Sequence, residues 1–275
     1  MKISIGSGGL TNNFNKNYWE VFLYSIEKNY HIHSALDYPS TQKYFDKAFK
    51  ENIKIKKLII KIEINKNPLK KIKNIPNQIN LILEKFRVNY IDTLQICNNP
   101  SSNFINMLFL KKILNHFKKK GIIKNFFLDS FNDFSENLIN LIDDDYFEGY
   151  IFTLNILQKG VSPKFLQNIL ESKKKIISIG PFAGGRYEEI LKNFEKNFEY
   201  SIKKILKSNK LNDFDELNLS FLKSINNLHS AIFEVKDLGV LKKIEFNLQR
   251  LNILNNEDMQ KIMNLQEKYN SKINY

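Results

Sequence analysis

The chain has 275 residues, with 43% hydrophobic and 26% charged side chains, 10 glycines and 6 prolines. That length and balance suit a folded α/β protein with a sizeable core and argue against a disordered or linker-rich chain. A formal charge of +13 raises the question of an anionic partner, but the lysines are spread along the whole sequence. Runs such as Lys118–Lys120 and Lys173–Lys175 sit at the ends of helical stretches, where they complement the helix dipole.

The first apolar pair, Ile3 and Ile5, reads as a short strand that ends in the turn Gly6-Ser7-Gly8-Gly9. Tyr18–Lys28 has helical spacing. A strand follows at His31-Ile32-His33-Ser34-Ala35 and runs into a loop carrying Tyr38. Thr41–Lys50 is a helix with Tyr44, Phe45 and Phe49 on one face. Lys57–Ile64 is a strand. The lysine-rich stretch Asn65–Ile75, punctuated by Pro68 and Pro76, is expected to be a loop, and Asn77–Arg87 an amphipathic helix. The strand Tyr90–Cys97 comes next.

The alternation continues with a helix over Ser101–Lys119, closed by Gly121, and a strand at Ile122–Leu128. Ser135–Ile142 is predicted helical and Tyr150–Leu154 extended. Ser162-Pro163 opens a helix as N-cap and first-turn proline. Lys175–Ile179 is a strand ending at Gly180-Pro181. Tyr187–Lys207 and Asp215–Ile225 are helical, and Ser230–Val235 is the last strand. Helices at Leu238–Asn247 and Glu257–Lys268 close the chain. Eight strands alternating with helices in about 250 residues predict a (β/α)8 TIM barrel, parallel and eight-stranded, with an extra C-terminal helix, as one domain over 1–275. The open doubly wound sheet is the rival. It lacks support because Gly6-Ser7-Gly8-Gly9 does not continue into a Gly-x-Gly-x-x-Gly spacing.

No apolar run reaches the roughly 20 residues of a membrane helix, and the N-terminus lacks a signal-peptide core. A single cysteine suits a reducing cytoplasm. The scattered His31, His116 and His229 offer no metal-ligand spacing, and the His31/His33 pair on one strand face is read as two hydrogen-bonded histidines. Phe126, Phe127, Phe131 and Phe134 are read as core rather than as stacking platforms for bases, so a nucleic-acid partner is not expected.

In a parallel barrel Tyr38, Lys61 and Cys97 fall at neighbouring strand ends. Together with Tyr90-Ile91-Asp92, Lys120–Lys124, Gly180-Pro181-Phe182-Ala183-Gly184-Gly185 and Glu234-Val235-Lys236-Asp237, in this order, the sequence resembles the aldo/keto reductase superfamily over nearly its whole length. The resemblance implies reduction of a carbonyl or sugar-derived substrate with NADPH or NADH. Its catalytic Asp, Tyr, Lys and His fall at His33, Tyr38, Lys61 and Cys97. A phenol is a weak acid at neutral pH, and a nearby ammonium lowers its pKa. Without the aspartate, Lys61 is expected to lack a carboxylate partner and to tend towards the neutral amine. His33 or Cys97 would orient the substrate. Cys97 is read as a small filler, with a reactive thiolate beside Lys61 as the alternative.

The resemblance also implies a cofactor site. The serine-asparagine pair falls at Asp129-Ser130, the glutamine at Ile151, and a later asparagine at Asn155. Pro181 and Gly184 lie in the loop after the seventh strand. In the last loop the glycine and serine positions hold Glu234 and Asp237, which repel a phosphate, whereas Lys236 would bind one, assisted by Lys242 or Lys243. A catalytically inactive barrel acting as a binding or structural protein is the alternative.

Overall fold

The computed structural model describes residues 1–275 except 12, 39, 65–67, 98–103, 131–135, 186, 193–195 and 270–275. Eight strands follow one another in sequence order: β1 (Lys2–Gly6), β2 (His31–Ala35), β3 (Leu58–Glu63), β4 (Ile91–Cys97), β5 (Ile123–Asp129), β6 (Gly149–Thr153), β7 (Lys175–Ile179) and β8 (Leu228–Phe233). Each pairs in parallel with its sequence neighbours, and β8 pairs with β1 to close the barrel. The helices are α1 (Lys16–Glu27), α2 (Gln42–Lys50), α3 (Pro68–Lys85), α4 (Phe104–Lys119), α5 (Pro163–Glu171), α6 (Tyr187–Lys192), α7 (Lys196–Ser208), α8 (Phe214–Lys223), α9 (Leu238–Arg250) and the extra C-terminal α10 (Asn256–Tyr269). The expected barrel is the observed one.

Alternation along each strand builds two cores. Ile59, Phe127, Ile151, Ile177 and Ile232 point inward and fill the barrel. Their strand neighbours, such as Ile60, Leu94, Phe126 and Phe152, face the helices. Phe126 and Phe127 are therefore core, as read from the sequence; Phe131 and Phe134 lie outside the described residues. No helix among the described residues is long and apolar enough to cross a membrane.

Several ends follow the expected local rules. Ser162 Oγ accepts from the Phe165 N–H at 3.2 Å, with Pro163 in the first turn of α5. Gly121, at φ 68°, closes α4.

Three segments differ from the sequence reading. The stretch read as a loop around Pro68 is the start of α3, an 18-residue helix that carries Pro76 inside it. Pro68 occupies a first-turn position, where its missing N–H costs nothing. Ile72, Ile75, Ile79 and Ile82 continue one buried stripe through Pro76. An interior proline costs about 3 kcal/mol, and four buried isoleucines contribute roughly 1.5–3 kcal/mol each, so the stripe prevails. The segment after β5 forms a 3-10 helix over Glu136–Leu141 instead of an α-helix. Asp143, Asp144 and Asp145 follow it at the end where the helix dipole disfavours negative charge. The helical region expected from Tyr187 is divided into α6 and α7, with 193–195 outside the described residues.

Candidate active site

The C-terminal strand ends of a parallel barrel are where its loops gather and where catalytic side chains are carried. Here β3 places Lys61 and, two residues on, Glu63 on the same inward face. In register, Lys61 lies between Ala35 of β2 and Gln95 of β4, and Glu63 beside Cys97. Cys97 in turn lies beside Asp129 of β5.

Tyr38 is fixed by the turn after β2. Its N–H donates to Ala35 O at 3.2 Å, and its carbonyl accepts from the Thr41 hydroxyl at 2.6 Å. Its ring lies against the backbone of Gly8, where an added Cβ would sit 3.4 Å from the ring. The first loop thus packs directly on the phenol ring. Ser7 Oγ donates to His33 O at 2.8 Å and ties the same loop to β2.

The Lys61 ammonium has a carboxylate partner: Nζ lies 2.9 Å from Glu63 Oε1. This overturns the expectation of an unpaired, proton-shedding lysine. Burial disfavours its charge, but the negative charge that an ionised Cys97 would carry and the hydrogen bond to Glu63 outweigh it, and its pKa lies above the ordinary value. Cys97 is itself a thiol at neutral pH, so Glu63 is the partner that matters there. The Tyr38 phenol also lies above its ordinary pKa. Burial is the main cause, Lys61 pulls down, and Asp37, Cys97 and Glu234 push up. Lys61 acts on Tyr38 in the expected direction, but burial outweighs it.

His33 and Cys97, which the sequence comparison expects at catalytic positions, both face a buried network. His33 Nε2–H donates to Gln95 Oε1 at 2.8 Å. Gln95 Nε2 donates to Asp129 Oδ2 at 2.7 Å, and the Cys97 thiol donates to the same oxygen at 2.8 Å. Burial lowers the His33 pKa to about 4; the Gln95 bond opposes this and Lys61 adds to it. Burial, then the charge and hydrogen bond of Asp129, push the Cys97 thiol up, against the pull of Lys61. His33 is a neutral imidazole and Cys97 a protonated thiol. The rings of His33 and Tyr38 stand edge to face at 6.3 Å.

His31 has a partner of its own, donating from Nε2 to Asp92 Oδ2 at 2.8 Å. No group of three His, Cys, Asp or Glu among the described residues is placed to hold a metal.

The expected cofactor residues divide into two sets. Asn155 is fully buried, and its amide organises the chain itself. It donates to Gln158 Oε1 (3.1 Å) and Gly180 O (2.9 Å), and accepts from the N–H groups of Leu157 (2.9 Å) and Gln158 (3.0 Å). Asp129 is occupied by Gln95 and Cys97. Ser130 lies beside them, its hydroxyl 3.5 Å from Ile151 O. Lys243 pairs with Asp213 at 3.5 Å. Asp237 caps α9, accepting from the Val240 N–H at 3.1 Å.

The second set is open. Gly184 (φ 66°) and Gly185 (φ 76°) are exposed in the turn after Pro181, and a Cβ on Gly185 would meet nothing within 4 Å. The Lys236 ammonium and the Glu234 carboxylate flank Gly9, at 3.9 and 3.2 Å from where its Cβ would be. Bare glycine backbone beside an exposed ammonium suits the phosphates of a dinucleotide. Glu234 is the misfit in this set.

No protein-family model matches the sequence, and no curated protein sequence matches it. Solved structures do. An aldo-keto reductase from Bacillus halodurans in its holo form superposes with a TM-score of 0.71 at 16% identity, over 96% of this chain and 91% of that one. An aldo-keto reductase enzyme from a Medee basin deep-sea metagenome library gives 0.71 at 14%, over 100% and 93%. A thermostable aldo-keto reductase crystallised with the inhibitor epalrestat gives 0.70 at 14%, over 96% and 94%. The chain has the aldo/keto reductase fold. Within that fold, sequence reasoning missed Glu63 and Gln95. Glu63 was within reach of it, because strand alternation from Lys61 puts position 63 on the same face. Gln95 carried no signal beyond its inward parity.

Proposed function

We propose that the protein is an aldo/keto-reductase-type oxidoreductase that reduces the carbonyl of a small or sugar-derived substrate with NADPH or NADH. The observation that carries this reading is the Lys61–Glu63 pair beside Tyr38. The carboxylate absent from position 33 of β2 is supplied from position 63 of β3, so the ammonium that tunes the phenol keeps its charge.

When bound, the reduced nicotinamide supplies the hydride to the carbonyl carbon. Tyr38 gives its phenolic proton to the carbonyl oxygen and is left as the phenolate. The Lys61 ammonium stabilises that phenolate, and Glu63 stabilises the ammonium. His33 and Cys97 have committed their donors to Gln95 and Asp129, so they shape the wall of the site and leave Tyr38 as the donor to the substrate. At the phosphate end, the Gly184-Gly185 turn and Lys236 would hold the dinucleotide, and Lys236 favours the 2′-phosphate of NADPH. The family resemblance assigns the nicotinamide carboxamide to Ser130. A lone cysteine kept as a buried thiol suits a cytoplasmic setting.

Fluorescence titration with NADPH and NADH tests the reading. Saturable binding is expected, and its absence at millimolar cofactor would sink the enzyme. A second reading, a barrel without hydride transfer that acts as a binding or structural protein, is favoured by one observation. The polar atoms of Asp129 and Asn155 serve the chain's own backbone and side chains.

A further inference from the structure

We propose a second ligand site at the opposite end of the barrel, for a phosphorylated aromatic molecule of the nucleoside-monophosphate class. The loops 51–57 and 86–90, which lead into the N-terminal ends of β3 and β4, enclose a cavity of about 410 Å³. That is within the usual size of small-molecule sites. Its charged lining consists of Lys54, Lys56 and Arg87, with no carboxylate among the lining residues. Its walls are aromatic: Phe49, Phe86 and Tyr90. Phe49 is 58% exposed. The Tyr90 hydroxyl donates to Lys56 O at 3.0 Å and holds the two loops together, while the Lys124 ammonium sits 3.8 Å from its ring centroid.

Two further features bear on this groove. It lies between the C-termini of α2 and α3, whose carbonyls would ordinarily repel an anion. Those carbonyls are already covered: Ala48 O accepts from Ile53 N, Phe49 O from Asn52 N, Leu83 O from Val88 N, and Lys85 O from the Gln42 side chain. The cations are therefore not needed to cap them. In addition, Arg87 has φ 54° in a helix-ending position that favours glycine. An arginine there is strained, and its guanidinium lies 5.2 Å over the Phe49 ring. That stack aims a cation and an aromatic face into one cavity. Glu51, at the α2 end, is paired with Lys47 at 2.7 Å. Three cations fit a phosphate, the rings fit a base, and the exposed amides of Asn52 and Asn89 fit base edges.

The test is an amide chemical-shift titration of the full chain with AMP at low ionic strength. AMP is expected to perturb 49–56 and 86–90 and to bind about tenfold more tightly than inorganic phosphate or adenosine alone. Arg87→Gly relieves the backbone strain, so it should keep or raise the melting temperature while weakening AMP about tenfold. Lys236→Glu, at the other end of the barrel, should leave AMP binding at this groove unchanged. The proposal is overturned if AMP perturbs the Tyr38 end only, if folded Arg87→Gly binds AMP as well as the parent, or if free phosphate binds equally well. It is also overturned if a short single-stranded oligonucleotide binds far more tightly with a steep salt dependence, which marks a nucleic-acid surface.

Discussion

The two halves of the strand-end ring use their polar groups in opposite ways. On β2–β4, Tyr38, Lys61 and Glu63 form a pair-and-donor arrangement, and no described residue takes the Tyr38 hydroxyl. On β5–β7, the polar atoms of Asp129 and Asn155 are bound by Gln95, Cys97, Gln158 and Gly180. In one half an ammonium is paired with a carboxylate two residues along its own strand. In the other the hydrogen-bonding groups are taken up within the chain. On the proposed reading, proton delivery and cofactor grip fall to different halves, and variants in each half should move different quantities.

The largest effect is expected from Tyr38→Phe. Losing a positioned general acid costs about 10²–10⁴-fold in kcat. Cofactor affinity, read by fluorescence titration, should change little. Carbonyl reduction by Tyr38→Phe at the parental rate would remove Tyr38 from the chemistry.

A second break concerns stability. His33 titrates at about 4 in the folded protein and near 6.5 when unfolded. Between those values the unfolded chain binds the extra proton. Stability contributed by the neutral imidazole is present above pH 6.5 and is lost as pH falls towards 4, to a total of about 3 kcal/mol. Denaturant melts at pH 7 and pH 5 measure this. In His33→Gln the difference between the two pH values should shrink; an unchanged difference would show that His33 is not the group responsible.

The barrel itself was legible because strand and helix periods alternate so regularly, and because Ser162-Pro163 and Gly121 mark their helix ends chemically. What was not legible depended on tertiary packing. The prolines of α3 signal a loop locally, but the barrel surface supplies an apolar partner for Ile72–Ile82 that outweighs them. In the site, Tyr38 and Lys61 could be placed from strand ends alone. The fate of His33, Cys97 and Asp129 could not, because it depends on Gln95 lying between β2 and β5, a contact between strands far apart in sequence.

A smaller effect tests the relocated carboxylate. Lys61 must be an ammonium to stabilise the Tyr38 phenolate, and its folded pKa is raised. Its contribution is therefore complete at neutral pH and lost as pH rises through that raised value. Glu63→Gln removes one cause of the rise. The alkaline limb of the kcat profile should move towards neutrality by about one pH unit, with about tenfold lower activity at high pH. A profile identical to the parent would return the role of partner to another group.

The smallest change addresses the loop after β8, where the proposed reading puts the phosphate end of the cofactor. Glu234 stands beside Gly9 and Lys236, where its negative charge opposes a phosphate. Replacing it by glutamine removes a repulsion of about 1 kcal/mol at a partly screened separation. NADPH should then bind roughly three- to fivefold more tightly. The gain should fade in high salt, because screening shortens the reach of exposed charges. A gain that survives high salt would mean that packing, not charge, separates this loop from the cofactor. If neither the parent nor Glu234→Gln binds cofactor, the inward hydrogen bonds of Asp129 and Asn155, rather than the charge of the last loop, define what this barrel has become.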